Sequence, residues 1–333
     1  MFLKKHRKLT ASWLILILLS FDFGPASAWG FYSHRKINEM AVYALPKDLF
    51  GFYKKNIQFI IDQSVAPDKR RYGVKGEAPR HFIDIDHYCH DEACDPFEVV
   101  PVRWNDAVEK FSEDTLQEYG ILPWHINSMT HWLTKAFKEK DIDNILRLSA
   151  ELGHYVGDAH VPLHTTENYN GQMSGQRGIH GFWETRLPEL YDDHYDYFVE
   201  DAAYVESPLN FAWKAVRESH TALDSVLTFE EQLNDRFSSD QKYSYEERGR
   251  SVVKVYSQEY SRTYHQMLDG QVERRLRGAI HSIASLWYTA WVNAGQPDLT
   301  DIEKEQPSEE LLQELEKETK KKELEEKVRD HDQ

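Results

Sequence analysis

Apolar residues recur at the spacing of one helical face through Ile37 to Ile61, Ala107 to Leu116, Met129 to Phe137, Ile142 to Val161, Phe211 to Leu227 and Val272 to Val292, the period with which a helix buries one stripe and wets the other. Strand-like alternation is scarce. The breaks carry Pro or Gly, at Pro67, Pro79, Pro96 with Pro101, Gly120 with Pro123, and across Asn168 to Gly178, where proline removes a donor and glycine admits turn conformations. This pattern predicts an all-α fold, a single mainly helical domain over residues 29–300.

The two ends read differently. Lys4, Lys5, Arg7 and Lys8 precede an apolar run from Trp13 to Leu19, and Ala26-Ser27-Ala28 follows, the layout of a signal peptide over residues 1–28. A bilayer span needs roughly 20 apolar residues, and this run is far shorter. The reading is therefore an exported protein, periplasmic or extracellular, with no stable membrane span after cleavage. From Glu303 onward acidic and basic residues alternate densely, with Leu311, Leu312, Leu315 and Leu324 as the few apolar positions. This charged tail, residues 301–333, reads as a solvated helix or a disordered segment, with a partner-binding coil as the sharper alternative.

At 333 residues and 41% hydrophobic content the chain can bury a substantial core. Its formal net charge is -16, and loss of the leader, with four basic residues and one acid, makes the remainder more acidic still. Such a balance argues against non-specific polyanion binding, which needs clustered Lys and Arg. It leaves room for a metal site that takes one phosphate group. Cys89 and Cys94 form a close pair. In an exported protein a small-loop disulfide is the simplest reading, and a pair of soft metal ligands the alternative.

Candidate chemistry concentrates in three clusters. His154 and Asp158 are four apart and share one helical face, where imidazole and carboxylate can clasp the same ion. Pro162 disfavours helix through Val161, so His164 leaves the axis and reaches a second position. His160 is a further candidate that points elsewhere on the helix. His180 and Glu184 repeat the four-residue spacing beside Trp183, and the Asn- and Gly-rich stretch from Thr165 to Arg177 suits a loop over a site. Upstream, Pro67 to Arg71 and Arg80 to His87 offer further nitrogen and oxygen ligands in turns. Finally, a Trp29 freed by cleavage offers an amino nitrogen and a carbonyl oxygen as a chelating pair, with His34 five residues on. Each histidine alone also reads as a hydrogen-bonded core residue. Two i,i+4 pairs around another His point instead to a multinuclear metal site, whose N and O ligands suit zinc, with iron or manganese also compatible.

The ordered set of Trp29, His34, Asp68, His81-Phe82-Ile83-Asp84, His154-x3-Asp158-x5-His164 and His180-x3-Glu184 resembles the superfamily of zinc-dependent phospholipases C and single-strand-specific zinc nucleases. The match runs from about residue 29 to 190. The resemblance implies a mainly helical domain with three zinc ions in a cleft. One ion would be held by Asp68, His81, His154 and Asp158, and a second by His164, His180 and Glu184. A third would be held by Trp29, His34 and the shared Asp158. It implies a zinc-dependent phosphodiesterase using a metal-activated hydroxide, with Asp68 orienting or deprotonating the water and Arg71 stabilising the phosphate.

Substrate choice stays open between a phospholipid and a single-stranded nucleic acid. Arg71, base-binding Phe82 and Asp84, Trp183 and the short gap from Trp29 to His34 look nuclease-like. Glu184 and the short stretch from His164 to His180 look closer to the phospholipases, and Asn168 to Gln172 departs from the Asp-Gly-Gly-Asn stretch of the nuclease loop. Phe82 and Trp183 also read as core, and Arg71 as an ion-pair partner. A zinc-holding binding or scaffold protein without turnover is the reading from a different class; closed four-ligand coordination would mark it, an open position the enzyme.

Overall fold

The computed structural model describes residues 30–71, 73–89, 91, 94–248, 251–300 and 307–318. The expected leader, Trp29 and most of the charged tail lie outside the described residues. Helices α1 (Phe31–Tyr43), α2 (Lys47–Lys55), α3 (Ile57–Gln63) and α4 (Ala66–Arg70) come first. They are followed by α5 (Pro96–Val99), α6 (Trp104–Phe111), α7 (Glu113–Tyr119), α8 (Leu122–Glu139) and α9 (Ile142–Asp158). The remainder holds α10 (Ile179–Gly181), α11 (Leu187–Tyr191), α12 (Pro208–Asn234), α13 (Ser239–Lys242), α14 (Gln258–Met267) and α15 (Gln271–Asn293). The fold is all-α, and no helix among the described residues is long and apolar enough to cross a membrane.

Boundaries follow local chemistry. The apolar run predicted from Ile37 to Ile61 is cut twice, at Ala44 to Pro46 and at Asn56. Proline sets an extended N-cap at the first cut. Ala107 to Leu116 is likewise split at Ser112, whose side chain accepts the Thr115 N–H and starts α7. Asp141 caps α9 by accepting from the Asn144 N–H, and α9 ends at Asp158, close before Pro162. One antiparallel hairpin escaped the helical reading: β1 (Tyr243–Arg248) pairs with β2 (Ser251–Tyr256), Tyr243 opposite Tyr256.

α9 is the central element. Its last turns are buried from Ser149 to Asp158, beneath α1, α3, α8 and α15. Trp287 of α15, fully buried, stacks on Tyr53 at 4.8 Å and donates its indole N–H to the Ser149 carbonyl at 3.0 Å. A large apolar surface is thus buried with its one polar atom satisfied. Two glycines let α1 approach the site end of α9. A Cβ at Gly153 would lie 1.9 Å from Asn38 Oδ1, and one at Gly157 would lie 2.7 Å from Ile37 Cδ1 and 3.0 Å from His34 Nδ1. Because both are glycine, the His34 ring stacks on His154 at a centroid distance of 3.9 Å.

The described part of the charged tail is docked. Residues 309–318 are helical, Leu311 and Leu315 are buried, and Arg147 of α9 pairs with Glu314 and Glu318 at 3.1 and 3.4 Å.

Gly153→Ala is expected to destabilise the protein. Helix propensity returns roughly 0.5–1 kcal/mol, but forcing Asn38 aside costs about 1–3 kcal/mol. Chemical denaturation should show a net loss, and a gain in stability would contradict the close approach of α1 and α9.

Candidate metal centre

Seven short stretches of chain deliver the expected ligands. His34 comes from α1, Asp68 from α4, and His81 from the 3-10 turn Ala78–His81. α9 supplies His154 and Asp158 one turn apart. The 3-10 turn Pro162–Thr165 carries His164 off the α9 axis, as Pro162 predicts. α10 supplies His180, and a π-helical turn, Phe182–Arg186, supplies Glu184. Such wide turns cluster at functional sites. This one is clamped from outside: buried Arg186 forks onto Glu246 of β1 at 2.9 and 2.5 Å, and Phe182 stacks on Tyr256 of β2 at 3.9 Å.

The ligand atoms converge. They form overlapping groups (His34, Asp68 and His154; His81, His154 and Asp158; His164, His180 and Glu184; His34, Asp158 and Glu184), within each of which the atoms lie no more than 4.8 Å apart. Asp158 is the hub. Its carboxylate lies 3.0 Å from His81 Nδ1, 3.3 Å from His34 Nε2 and 3.4 Å from His154 Nε2. Glu184 Oε2 sits 2.6 Å from His180 Nε2 and 3.5 Å from His164 Nε2, while its Oε1 is 3.8 Å from His34 Nε2. Asp68 Oδ1 is 3.6 Å from His154 Nε2 and 3.7 Å from His81 Nδ1. Most of these side chains are buried, but those of Asp68 and His180 are each 25% exposed and open the cluster to solvent.

Hydrogen bonds outside the cluster point the lone pairs inward. His154 Nδ1 donates to the Ser64 carbonyl at 2.8 Å, His180 Nδ1 to the Tyr169 carbonyl at 3.2 Å, and His164 Nδ1 to the His81 carbonyl. A carbonyl can only accept, so each neutral ring carries its proton on Nδ1 and presents a bare Nε2 to the cluster. His164 Nε2 is buried without a hydrogen-bond partner, and His154 Nε2 lies 3.1 Å from His81 Nδ1. Converging imidazole lone pairs and carboxylates fit divalent cations.

Electrostatics agree with that fit. Burial pushes the Asp158 carboxyl up, but His154, His164, His34 and His81 outweigh it and hold the group well below the usual carboxylate range. Glu184 is likewise raised by burial and lowered further by His164 and His180. Burial, with the charges of His34 and His81 adding to it, pushes His154 down to about 3. Burial also lowers His164, yet Asp158 and Glu184 dominate and push it up to about 9.

The other expected residues divide. Arg71 caps α4, and its charge helps to offset the rise of the Asp84 carboxyl to about 7, a rise caused first by burial and then by Asp86 and Glu167. Phe82 and Asp84 are half-buried around buried Ile83, and this irregular segment is pinned beside the site by Ile83 N–H to the His164 carbonyl at 3.0 Å. Trp183, expected as a substrate contact, is 3% exposed and donates its indole N–H to Gln271 at 3.2 Å. His160 is satisfied at both nitrogens, by the Val156 carbonyl and Ser282, and stands outside the cluster. Cys89 and Cys94 are joined in a disulfide. Trp29 lies outside the described residues, but Gly30 places the chain beside Glu184, its Cβ direction 3.3 Å from Oε1. Sequence reasoning passed over Glu77, a fully buried carboxylate four residues before His81 that faces His81 Nε2.

Neither a family model nor a curated protein matches the chain. Among solved structures, a crystal structure of alpha-toxin from an avian strain of Clostridium perfringens is similar at 14% sequence identity and a TM-score of 0.45. The alignment covers 82% of this chain, and the chain spans 65% of the length of that one.

The histidine shifts set a pH dependence. His34, His81 and His164 are raised above their ordinary value, so the stability they contribute in metal-free protein is fully present below their unfolded pKa of about 6.5. It is lost as pH rises toward the His164 value of about 9. Thermal melts in chelator should show Tm falling across this window, and a flat or rising Tm would contradict the assignment. Added divalent metal should stabilise more as pH rises, because ligation displaces those protons.

Proposed function

We propose that the protein is an exported zinc-dependent hydrolase of phosphodiester bonds, and that a phospholipid suits it better than a polynucleotide. The observation that carries this reading is the convergence of His34, Asp68, His81, His154, Asp158, His164, His180 and Glu184 on overlapping groups joined by Asp158. Three zinc ions would be held by Asp68, His81, His154 and Asp158, by His164, His180 and Glu184, and by Trp29, His34 and Asp158. When bound, zinc supplies Lewis acidity that makes water acidic near neutral pH and offsets charge on phosphoryl oxygens.

The chain's own residues do the rest. Asp68, a quarter exposed where its partners are buried, faces incoming water and can orient it or accept its proton. Arg71, one turn after Asp68 and near enough to Asp84 for its charge to lower that carboxyl, would offer a fixed positive charge to the phosphate. Asp84, with its carboxyl near pH 7, can donate or accept a hydrogen bond to a substrate polar group. The exposure of Asp68 and His180 favours open coordination over a closed scaffold site.

Carboxylates favour the phospholipid branch. Asp84, Asp86 and Glu167 lie close together beside the site, on a chain of net charge -16. A polyanion would meet repulsion there, whereas a single phosphodiester need face only the metals. The disulfide fits an oxidising compartment and hence export.

The test is a side-by-side assay of mature protein on phosphatidylcholine, single-stranded DNA and RNA, with metal analysis of the same sample. Turnover of phosphatidylcholine, lost with Asp158→Asn and with chelator, is expected. Turnover of nucleic acid alone would move the protein to the nuclease branch, and bound zinc without any turnover would make it a scaffold. Arg71→Ala should lower kcat by about 100-fold with a smaller effect on KM, and an unchanged kcat would remove Arg71 from the phosphate. One residue added before Trp29 should lower zinc content, because an amide nitrogen is a poor ligand; equal content would refute the N-terminal chelate.

A further inference from the structure

His81 differs from the three ligand histidines that backbone carbonyls hold. His154, His164 and His180 each spend Nδ1–H on a backbone carbonyl and turn Nε2 inward. His81 is reversed: Nδ1 faces Asp158 at 3.0 Å and His154 Nε2 at 3.1 Å, while Nε2 points away. It is fully buried there, without a hydrogen bond, and 3.7 Å from Glu77 Oε1. A movement of under an ångström closes that contact to ordinary hydrogen-bond length.

Glu77 is fixed from its other side. It has no exposed surface, and its Oε2 is ion-paired with Arg70 Nε at 3.1 Å and accepts from Arg80 Nη1 at 2.8 Å. Its Oε1 accepts from the Tyr155 hydroxyl. Arg70 is itself forked onto Glu151 at 2.6 and 2.8 Å, and Arg147 holds Glu151 at 3.1 Å. A buried carboxylate is costly unless its lone pairs are used. Here the two arginines and the tyrosine hold it in place and leave one lone pair of Oε1 for His81.

We propose that Glu77 is a positioning residue: it draws the His81 proton onto Nε2, fixes the ring, and thereby makes Nδ1 the metal-facing atom. An imidazole held by a carboxylate is also a more basic ligand than one held by a carbonyl. His81 would therefore anchor its ion more strongly than its carbonyl-held neighbours. The inference rests on the metal reading of the cluster, and it goes beyond that reading in assigning a role to a residue that touches no ion. The bland alternative is that Glu77 only neutralises Arg70 and Arg80.

Glu77→Gln separates the two. The amide keeps the shape, but its carbonyl must face the arginines, so its NH2 turns toward His81 and donates to Nε2. The proton then has to move to Nδ1, the atom needed for metal. In zinc-loaded wild type, 15N-histidine NMR should show His81 protonated on Nε2. Zinc competition should show Glu77→Gln binding the ion at His81 about 10–100-fold more weakly, with the sites at His164, His180 and Glu184 still loaded. Tyr155→Phe removes a donor from the same carboxylate but leaves its charge facing His81, and it should retain the wild-type tautomer and affinity.

Wild-type His81 carrying its proton on Nδ1 overturns the proposal without any variant, so a failure of Glu77→Gln to fold leaves it testable. Equal zinc affinity in Glu77→Gln overturns the role of Glu77 alone, as does an equal loss in Tyr155→Phe, which would make general packing the cause. Wild type that holds no zinc at all overturns the metal reading and this proposal with it.

Discussion

A single buried carboxylate organises this molecule. Asp158 is about 1% exposed and is surrounded by the imidazoles of His34, His81, His154 and His164. Carboxylate and histidine can neutralise each other when the rings are protonated, but a cluster this dense then depends on protons that are lost as pH rises toward 9. Divalent cations satisfy the same lone pairs without that dependence. The overlap of the ligand groups at Asp158 and Glu184 makes the site one unit rather than separate pockets.

The surrounding fold serves that unit through close approaches. Gly153 and Gly157 open a groove on α9 for α1, which sets His34 against His154. The turn after α9 carries His164 against the irregular segment 82–84, and the hairpin clamps the turn that carries Glu184 through Arg186 and the Phe182–Tyr256 stack. On the far side, alternating charges run from the tail helix through Arg147, Glu151 and Arg70 to Glu77 and His81. Packing and ion pairing thus converge on the same side chains from independent directions.

Much of this was legible in the sequence because it is local. His154 with Asp158 and His180 with Glu184 are i,i+4 pairs, and Pro162 announced the change of direction before His164. What was not legible depends on distant partners. The hairpin is rich in charged residues, and its buried contribution is Tyr256 against Phe182, separated widely in sequence. Trp183 and Phe82 carry the same apolar signal, yet Trp183 is sealed behind Gln271 and Phe82 is half-buried beside the site. Glu77 looked like any surface glutamate until Arg70, Arg80 and Tyr155 were brought around it. The Gly153-x3-Gly157 repeat was present in the sequence and marks a helix contact that spacing alone could have suggested.

Anomalous X-ray scattering at the zinc edge, from crystals of the mature protein grown without chelator, tests the account most directly. The proposed reading predicts three zinc peaks within the cluster of His34, Asp68, His81, His154, Asp158, His164, His180 and Glu184. The same histidines and carboxylates in place, joined by plain hydrogen bonds and with no anomalous density between them, would contradict it.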